Sequence, residues 1–300
     1  MIIETEGLTR HFGRKAAVQD VNLKVPEGAA MALVGANGAG KTTLMRMLLN
    51  ILRPTQGSAH IFGKQSVELK ARDFQRIGYV SENMELPVRL SVASYYDYLR
   101  PFYPDWDEDL ERQMRREFDL PRKRRINRLS HGMRVKTMLA SALAFRPPLL
   151  ILDEPLGGLD PAIRDDVLEG LIDRATDTTI LISTHELSDI EGFATHVAFM
   201  EHGVLLFADE IDRLTERIRE VRAVTPAPSG RTVDMPRSWL APNHKGRTLE
   251  FIDQEFTNEA DLRERLAAAG LSVEQLEVRP LSLRETAVAL MRARGKENDQ

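Results

Sequence analysis

The nine residues Gly35-Ala-Asn-Gly-Ala-Gly-Lys-Thr-Thr43 constrain this chain more than any other stretch. They satisfy the pattern G-x-x-x-x-G-K-[ST]. They stand between a short apolar run, Ala30–Val34 (AMALV), and a segment, Thr42–Asn50, whose Leu44, Met47 and Leu48 recur at helical spacing. A strand that ends in a glycine-rich turn and restarts as a helix curls its backbone N–H groups inward. The helix start adds the positive end of its dipole, and both effects favour a bound anion. Gly35, Ala36, Asn37, Gly38, Ala39, Gly40, Lys41, Thr42 and Thr43 are therefore expected to cradle the phosphates of a nucleotide. Lys41 is expected to reach the β- and γ-phosphates, and the Thr42 hydroxyl to ligate Mg²⁺.

A second string, Leu149-Leu-Ile-Leu-Asp-Glu154, places two acids directly after four apolar residues. This describes a central strand whose carboxylates emerge at its C-terminal edge, where open α/β sheets bind ligands. Asp153 is expected to hold Mg²⁺ directly or through water, and Glu154 to polarise the attacking water. No N-K-x-D guanine reader is present, which argues against a GTPase. Arg76–Val80, Thr179–Ser183 and Val197–Met200 read as further strands, and residues 1–30 as short alternating ones. Ser91 to Asp119 and Met133–Phe145 read as helical. Strands alternating with helices predict an α/β parallel sheet with helices on both faces.

Composition narrows the function classes. Lys plus Arg total 41 against 45 Asp plus Glu, a net charge of −4, which argues against a general nucleic-acid binder. With no cysteine among the 300 residues, disulfides, thiol catalysis, iron–sulfur ligation and cysteine zinc sites are excluded within this chain. No stretch approaches the roughly 20 apolar residues of a membrane span. The opening MIIETEGLTRHFG carries acids where a secretory leader has a basic region, so no leader is expected. A Pro/Gly/Ser-rich break at Ala223–Gly230 suggests a boundary. The expected domains are 1–220 for the nucleotide-binding part, a linker at 221–230, and a small α+β accessory domain at 231–300. That accessory domain is expected to hold a strand at Leu249–Ile252 and helices at Ala260–Ala269 and Leu283–Arg294.

Leu129-Ser-His-Gly-Met133, just before a helix and between the two motifs above, resembles the LSGGQ signature of ABC ATPases. Other elements of that family follow in order. Phe12 falls where an aromatic ring stacks on adenine, Gly157-Gly-Leu-Asp160 resembles the D-loop, and His185 of Ser183-Thr-His185 resembles the switch histidine. The resemblance spans about residues 1–215. It implies a P-loop NTPase cassette with a parallel-sheet core, an antiparallel β subdomain and a helical signature subdomain, using ATP and Mg²⁺. It also implies a composite site, in which the phosphate loop of one subunit and the signature of a second ABC subunit enclose each ATP. Ser130 and Gly132 would contact the γ-phosphate across that interface, and His185 would hydrogen-bond it and link it to Glu154.

Three departures from the family stand out. The signature reads LSHGM, and Phe12 lacks the hydroxyl of the common tyrosine. Glu82, in Gly78-Tyr-Val-Ser-Glu82, stands where glutamine is common. An ionised carboxylate there can reach Mg²⁺ or its water but cannot donate a hydrogen bond. The single cassette, the lack of any span, the C-terminal extension, the Glu82 and LSHGM variants and the Tyr103–Asp107 stretch look similar to ATPases of ABC-2-type exporters, including drug and antibiotic efflux systems. The resemblance then implies a subunit that powers export by ATP-driven homodimerisation coupled to multispan permease subunits. Such a subunit is peripheral, on the cytoplasmic face of the inner membrane, with no nucleic-acid partner. The aromatic segment Val92–Trp106 reads equally as a docking surface and as subdomain core. Arg112–Arg128 reads as a solvated basic face or, equally, as a face lying near lipid headgroups. The alternative is a non-transport ABC ATPase acting on a protein assembly.

Overall fold

Near-alternating apolar residues build β1 (Ile3–Phe12), β2 (Lys15–Val21) and β3 (Lys24–Val25), with Ile3, Leu8, Val18 and Val21 fully buried. β4 (Ala30–Val34) is buried at all five positions and leads through the glycine turn into α1 (Lys41–Leu48). β5 (Gln56–Ile61), β6 (Lys64–Gln65) and α2 (Ala71–Phe74) precede β7 (Ile77–Ser81). Three helices follow, α3 (Val92–Leu99), α4 (Glu108–Glu117) and α5 (His131–Leu143). Then come β8 (Leu149–Asp153), α6 (Pro161–Ile172), β9 (Thr179–Thr184), β10 (His196–Glu201) and β11 (Val204–Glu210). This computed structural model describes residues 1–172, 178–226, 235–236 and 238–298, with side chains to 291. It divides into two units, Met1–Ala208 and Asp209–Gln300.

In the first unit one sheet has the order β11-β10-β4-β9-β8-β7, and β10, β4, β9, β8 and β7 are mutually parallel. β8 and β9 are buried along their whole length, as a sheet covered on both faces requires. A second sheet, β2-β1-β5-β6 with β3 on β1, is antiparallel. Leu44, Met45, Met47 and Leu48 of α1 fill the core shared by the two sheets, so the helix that starts at the glycine turn is held rigidly. The helical segment divides its aromatics. Tyr95 and Tyr96 enter the core, where burial pushes the Tyr96 phenol well up, whereas Tyr98 and Phe102 stay exposed as an edge-to-face pair at 5.6 Å. Asp107 caps α4. Its carboxylate accepts hydrogen bonds from Leu110 N and from Arg146, which hold it below the usual carboxylate range.

The second unit is a small α+β fold. It comprises α7 (Ile211–Arg217), β12 (Arg219–Val224), β13 (Trp239–Lys245), β14 (Thr248–Asp253), α8 (Glu259–Ala268), β15 (Gln275–Pro280) and α9 (Leu283–Asn298). Its antiparallel sheet runs β13-β14-β12-β15. Val221, Ala223, Leu249 and Phe251 of the sheet pack against Leu262 and Leu266 of α8. Fully buried Asp253 is held by Arg265 through two hydrogen bonds, at 2.9 and 2.5 Å, so its charge is compensated in place. The linker expected at 221–230 is corrected here, because residues 221–224 belong to an interior strand of this sheet. The string Arg219-Glu-Val-Arg-Ala-Val is half charged, and only the packing of one sheet face against α8 turns Val221 and Ala223 into core. Residues 227–230 of that linker lie outside the described residues, as do 231–234 of the accessory domain. No helix among the described residues is long and apolar enough to cross a membrane.

Candidate nucleotide site

Strand register assembles the site. Val34 pairs with Thr184, Asp153 with Ser183, and Ser81 with Asp153, so β4, β9, β8 and β7 end nearly level. The next residue of each strand, Gly35, His185, Glu154 and Glu82, is thereby delivered to one edge of the sheet. A cleft of about 500 Å³ opens there, and Phe12, Lys15, Asn37, Glu82 and Asn83 are part of its lining. The glycine turn fits tightly. A Cβ on Gly35 would stand 2.3 Å from the Met200 carbonyl oxygen, and one on Gly40, at φ +108, 2.5 Å from that of Ala17. Both positions accept glycine alone.

Lys41 is 4 % exposed, with its ammonium tied at three points. Nζ donates to the Gly35 carbonyl at 2.5 Å and to Ala36 at 3.2 Å, and pairs with Glu154 Oε1 at 2.9 Å. The cation is thus preplaced inside the loop and neutralises the acid across the cleft. Glu154 Oε2 lies 3.0 Å from His185 Nδ1. Glu154 itself adopts φ +50, an uncommon conformation for a residue that precedes a proline. Its amide donates to Ser183 Oγ at 2.9 Å, and its carbonyl accepts from Gly157 N at 3.2 Å, contacts that hold the strained backbone in place.

Asp153, nearly fully buried, accepts from Thr42 Oγ1 and from Ser183 Oγ, each at 3.0 Å on the same oxygen. The Glu82 amide donates to the Asp153 carbonyl at 3.0 Å. Among the described residues no group of three or more acidic, histidine or cysteine side chains forms a ready-made metal cage. The Thr42 hydroxyl and the Asp153 and Glu82 carboxylates are nevertheless hard oxygen donors beside the phosphate loop. That chemistry fits Mg²⁺ carried in on a nucleotide, an ion held through few protein ligands plus phosphates.

Of the residues expected from the sequence, Phe12, Asn37, Gly38, Gly40, Lys41, Thr42, Thr43, Glu82, Asp153 and Glu154 line this one cleft. Phe12 is half exposed, and the Arg10 guanidinium lies 4.8 Å from its ring centre. Ser130 and Gly132 lie at the start of α5 and are not part of that lining. Ser130 Oγ caps the helix by accepting from Met133 N at 3.2 Å, and a Cβ on Gly132 would meet Ile163 at 2.8 Å. Sequence reasoning missed Lys15, Ala17 and Asn83, which carry no motif. It named Ser183 as the end of a strand and as part of the histidine motif, not as a residue of the site. A hydroxyl ending an otherwise apolar strand, Thr-Ile-Leu-Ile-Ser, was the available signal.

Residues 18–157 match the ABC transporter family. The chain is 33 % identical over 223 residues to the bacitracin transport ATP-binding protein BcrA of Enterococcus faecalis, covering 73 % of this chain and 72 % of that one. It is 29 % identical over 223 residues to the ABC transporter ATP-binding protein YtrB of Bacillus subtilis, with 74 % and 76 % covered. A solved ATP-binding subunit of an ABC transporter superposes with a TM-score of 0.66 at 26 % identity, over 71 % of this chain and 92 % of that one.

Proposed function

This chain belongs to the ABC transporter ATP-binding family and hydrolyses ATP as such a subunit, and we propose that it powers export through separate multispan permease subunits. The observation that carries the catalytic assignment is the position of Glu154. Its two carboxylate oxygens face Lys41 and His185 at 2.9 and 3.0 Å, at the sheet edge where the glycine-rich loop begins. In this reading the loop's N–H groups and Lys41 bind the β- and γ-phosphates, and Phe12 stacks on the base. Glu154 takes the proton of the attacking water while His185 holds the carboxylate in place. Thr42, Asp153 and Glu82 would hold Mg²⁺, which supplies charge neutralisation on the phosphates. The signature residues Ser130 and Gly132 lie away from this chain's own cleft, as expected if they serve the nucleotide of a second copy.

Export is supported by BcrA, whose name assigns it to bacitracin transport, and by the exposed Tyr98 and Phe102 pair, an aromatic surface of the kind enriched at interfaces. Permease contact through that pair and a place on the cytoplasmic face of the membrane follow from the same reading. The test is to look for a multispan membrane protein encoded beside the chain, to co-express the two and to purify the assembly in detergent. A stable complex whose ATP hydrolysis rises on reconstitution into vesicles is expected. Recovery of the chain only with a soluble assembly overturns the transport reading.

Glu82 offers a separate prediction. Exposed on the cleft, it adds a carboxylate where a neutral amide is usual. Glu82→Ala is expected to raise the Mg²⁺ concentration for half-maximal turnover roughly tenfold, the scale for losing a supporting metal contact. It should also blunt permease stimulation. If neither quantity moves, Glu82 has no part in sensing the metal.

A further inference from the structure

His131 is the first residue of α5, and its Nε2 lies 3.0 Å from the carbonyl oxygen of Gly157 in the loop between β8 and α6. A carbonyl only accepts, so Nε2 carries the proton and donates. Gly157 is hemmed in on another side, where an added Cβ would come within 3.2 Å of the Glu82 carboxylate. A Cβ placed on Gly158, at φ +65, would stand 3.8 Å from the imidazole, an ordinary contact distance, so the ring also lies against this residue. The two helices flanking this contact are locked together. Gly132 lets Ile163 of α6 pack directly on α5, and Lys136 pairs with Asp166 at 2.5 Å.

The far end of the same loop is tied as well. Arg164 Nε donates to the Leu159 carbonyl at 3.1 Å, and its Nη1 donates to Asp189 at 2.8 Å. The other oxygen of Asp189 accepts from Thr184 Oγ1 at 3.1 Å, and Thr184 adjoins His185, the partner of Glu154. One end of the loop is therefore fixed to the signature helix and the other to the segment that carries the switch histidine.

We propose that His131 is a positioning residue, whose hydrogen bond to Gly157 holds residues 156–160 in register between the signature helix and the Glu154–His185 pair. This rests on the reading of the cleft as an ATPase site. The imidazole takes no part in the reaction and acts through the loop.

Three variants of the full chain test it. Phe at 131 keeps a ring without the donor, Ala removes both, and Gln restores an N–H at similar reach. His131→Ala and His131→Phe are expected to lower kcat roughly tenfold, the value of one ordinary hydrogen bond. KM for ATP and the affinity for a fluorescent ATP analogue should stay within about twofold of wild type. His131→Gln should recover most of kcat. Amide hydrogen exchange of the nucleotide-free chain should speed up across 156–160 in Ala and Phe, but not in Gln, with α5 unaffected. Turnover of H131A at the wild-type rate, a Gln variant as impaired as Ala, or unchanged exchange would overturn the proposal. A wild-type chain that does not hydrolyse ATP would instead refute the ATPase reading, and the exchange series still decides the tether.

Discussion

Glutamine in place of Glu154 is expected to leave ATP bound while turnover falls by roughly 10²–10⁴-fold, the contribution of a positioned general base. The amide has nearly the shape of the carboxylate and still offers an oxygen toward His185 or Lys41, so the cleft should keep its form. What it loses is the capacity to take a proton from water. It also removes a negative charge that pairs with Lys41 at 2.9 Å, so Lys41 becomes free to engage phosphate and affinity for ATP should rise. Equilibrium binding of nucleotide, single-turnover hydrolysis and size-exclusion chromatography with ATP check these points together. Tight binding, negligible hydrolysis and accumulation of an ATP-bound dimer are expected. Wild-type turnover in this variant would remove Glu154 from the base role.

Lys41→Ala should act on the opposite quantity. The ammonium is nearly fully buried and already oriented by the Gly35 and Ala36 carbonyls, so it meets incoming phosphates with little reorganisation. Removing one partner of a buried, hydrogen-bonded charge pair costs about 2–5 kcal/mol, so Kd for ATP should rise roughly thirtyfold or more. Two effects add. The phosphates lose their principal cation, and Glu154, stripped of its counter-ion, repels them. The double variant Lys41→Ala, Glu154→Gln separates the two, because it should bind ATP better than Lys41→Ala alone. Titration with a fluorescent ATP analogue measures each, and unchanged affinity in Lys41→Ala would exclude Lys41 from the phosphate site.

Much of this site was legible in the chain because its parts are local. A phosphate loop needs its glycines, lysine and threonine within nine consecutive residues, and a strand-end acid pair needs two adjacent ones. The central strands were legible for a related reason. Segments such as Leu149–Leu152 are buried on both faces, so they are apolar throughout. β12 escaped notice on the same logic, since an antiparallel strand with one charged face looks polar until its neighbours are known. Lys15 and Ala17 escaped too, because β2 reaches the cleft only through the packing of a separate antiparallel sheet.

By itself, then, the sequence determined the ingredients of the proposed site: a glycine-rich loop, a cation, a hydroxyl and two acids, each specified by residues adjacent in the chain. The tertiary structure decided how these meet. The order β4-β9-β8-β7 sets Ser183 against Asp153, His185 against Glu154 and Glu82 beside Gly157, and the contacts of the buried aspartate with its two hydroxyl partners bridge 30 and 111 positions. Strand order and register are properties of the whole packed sheet, because a one-residue slip turns every side chain to the other face. The same holds for His131, which in the string LSHGM is only a departure from a familiar pattern. The docking of α5 on α6 turns it into the donor that holds Gly157.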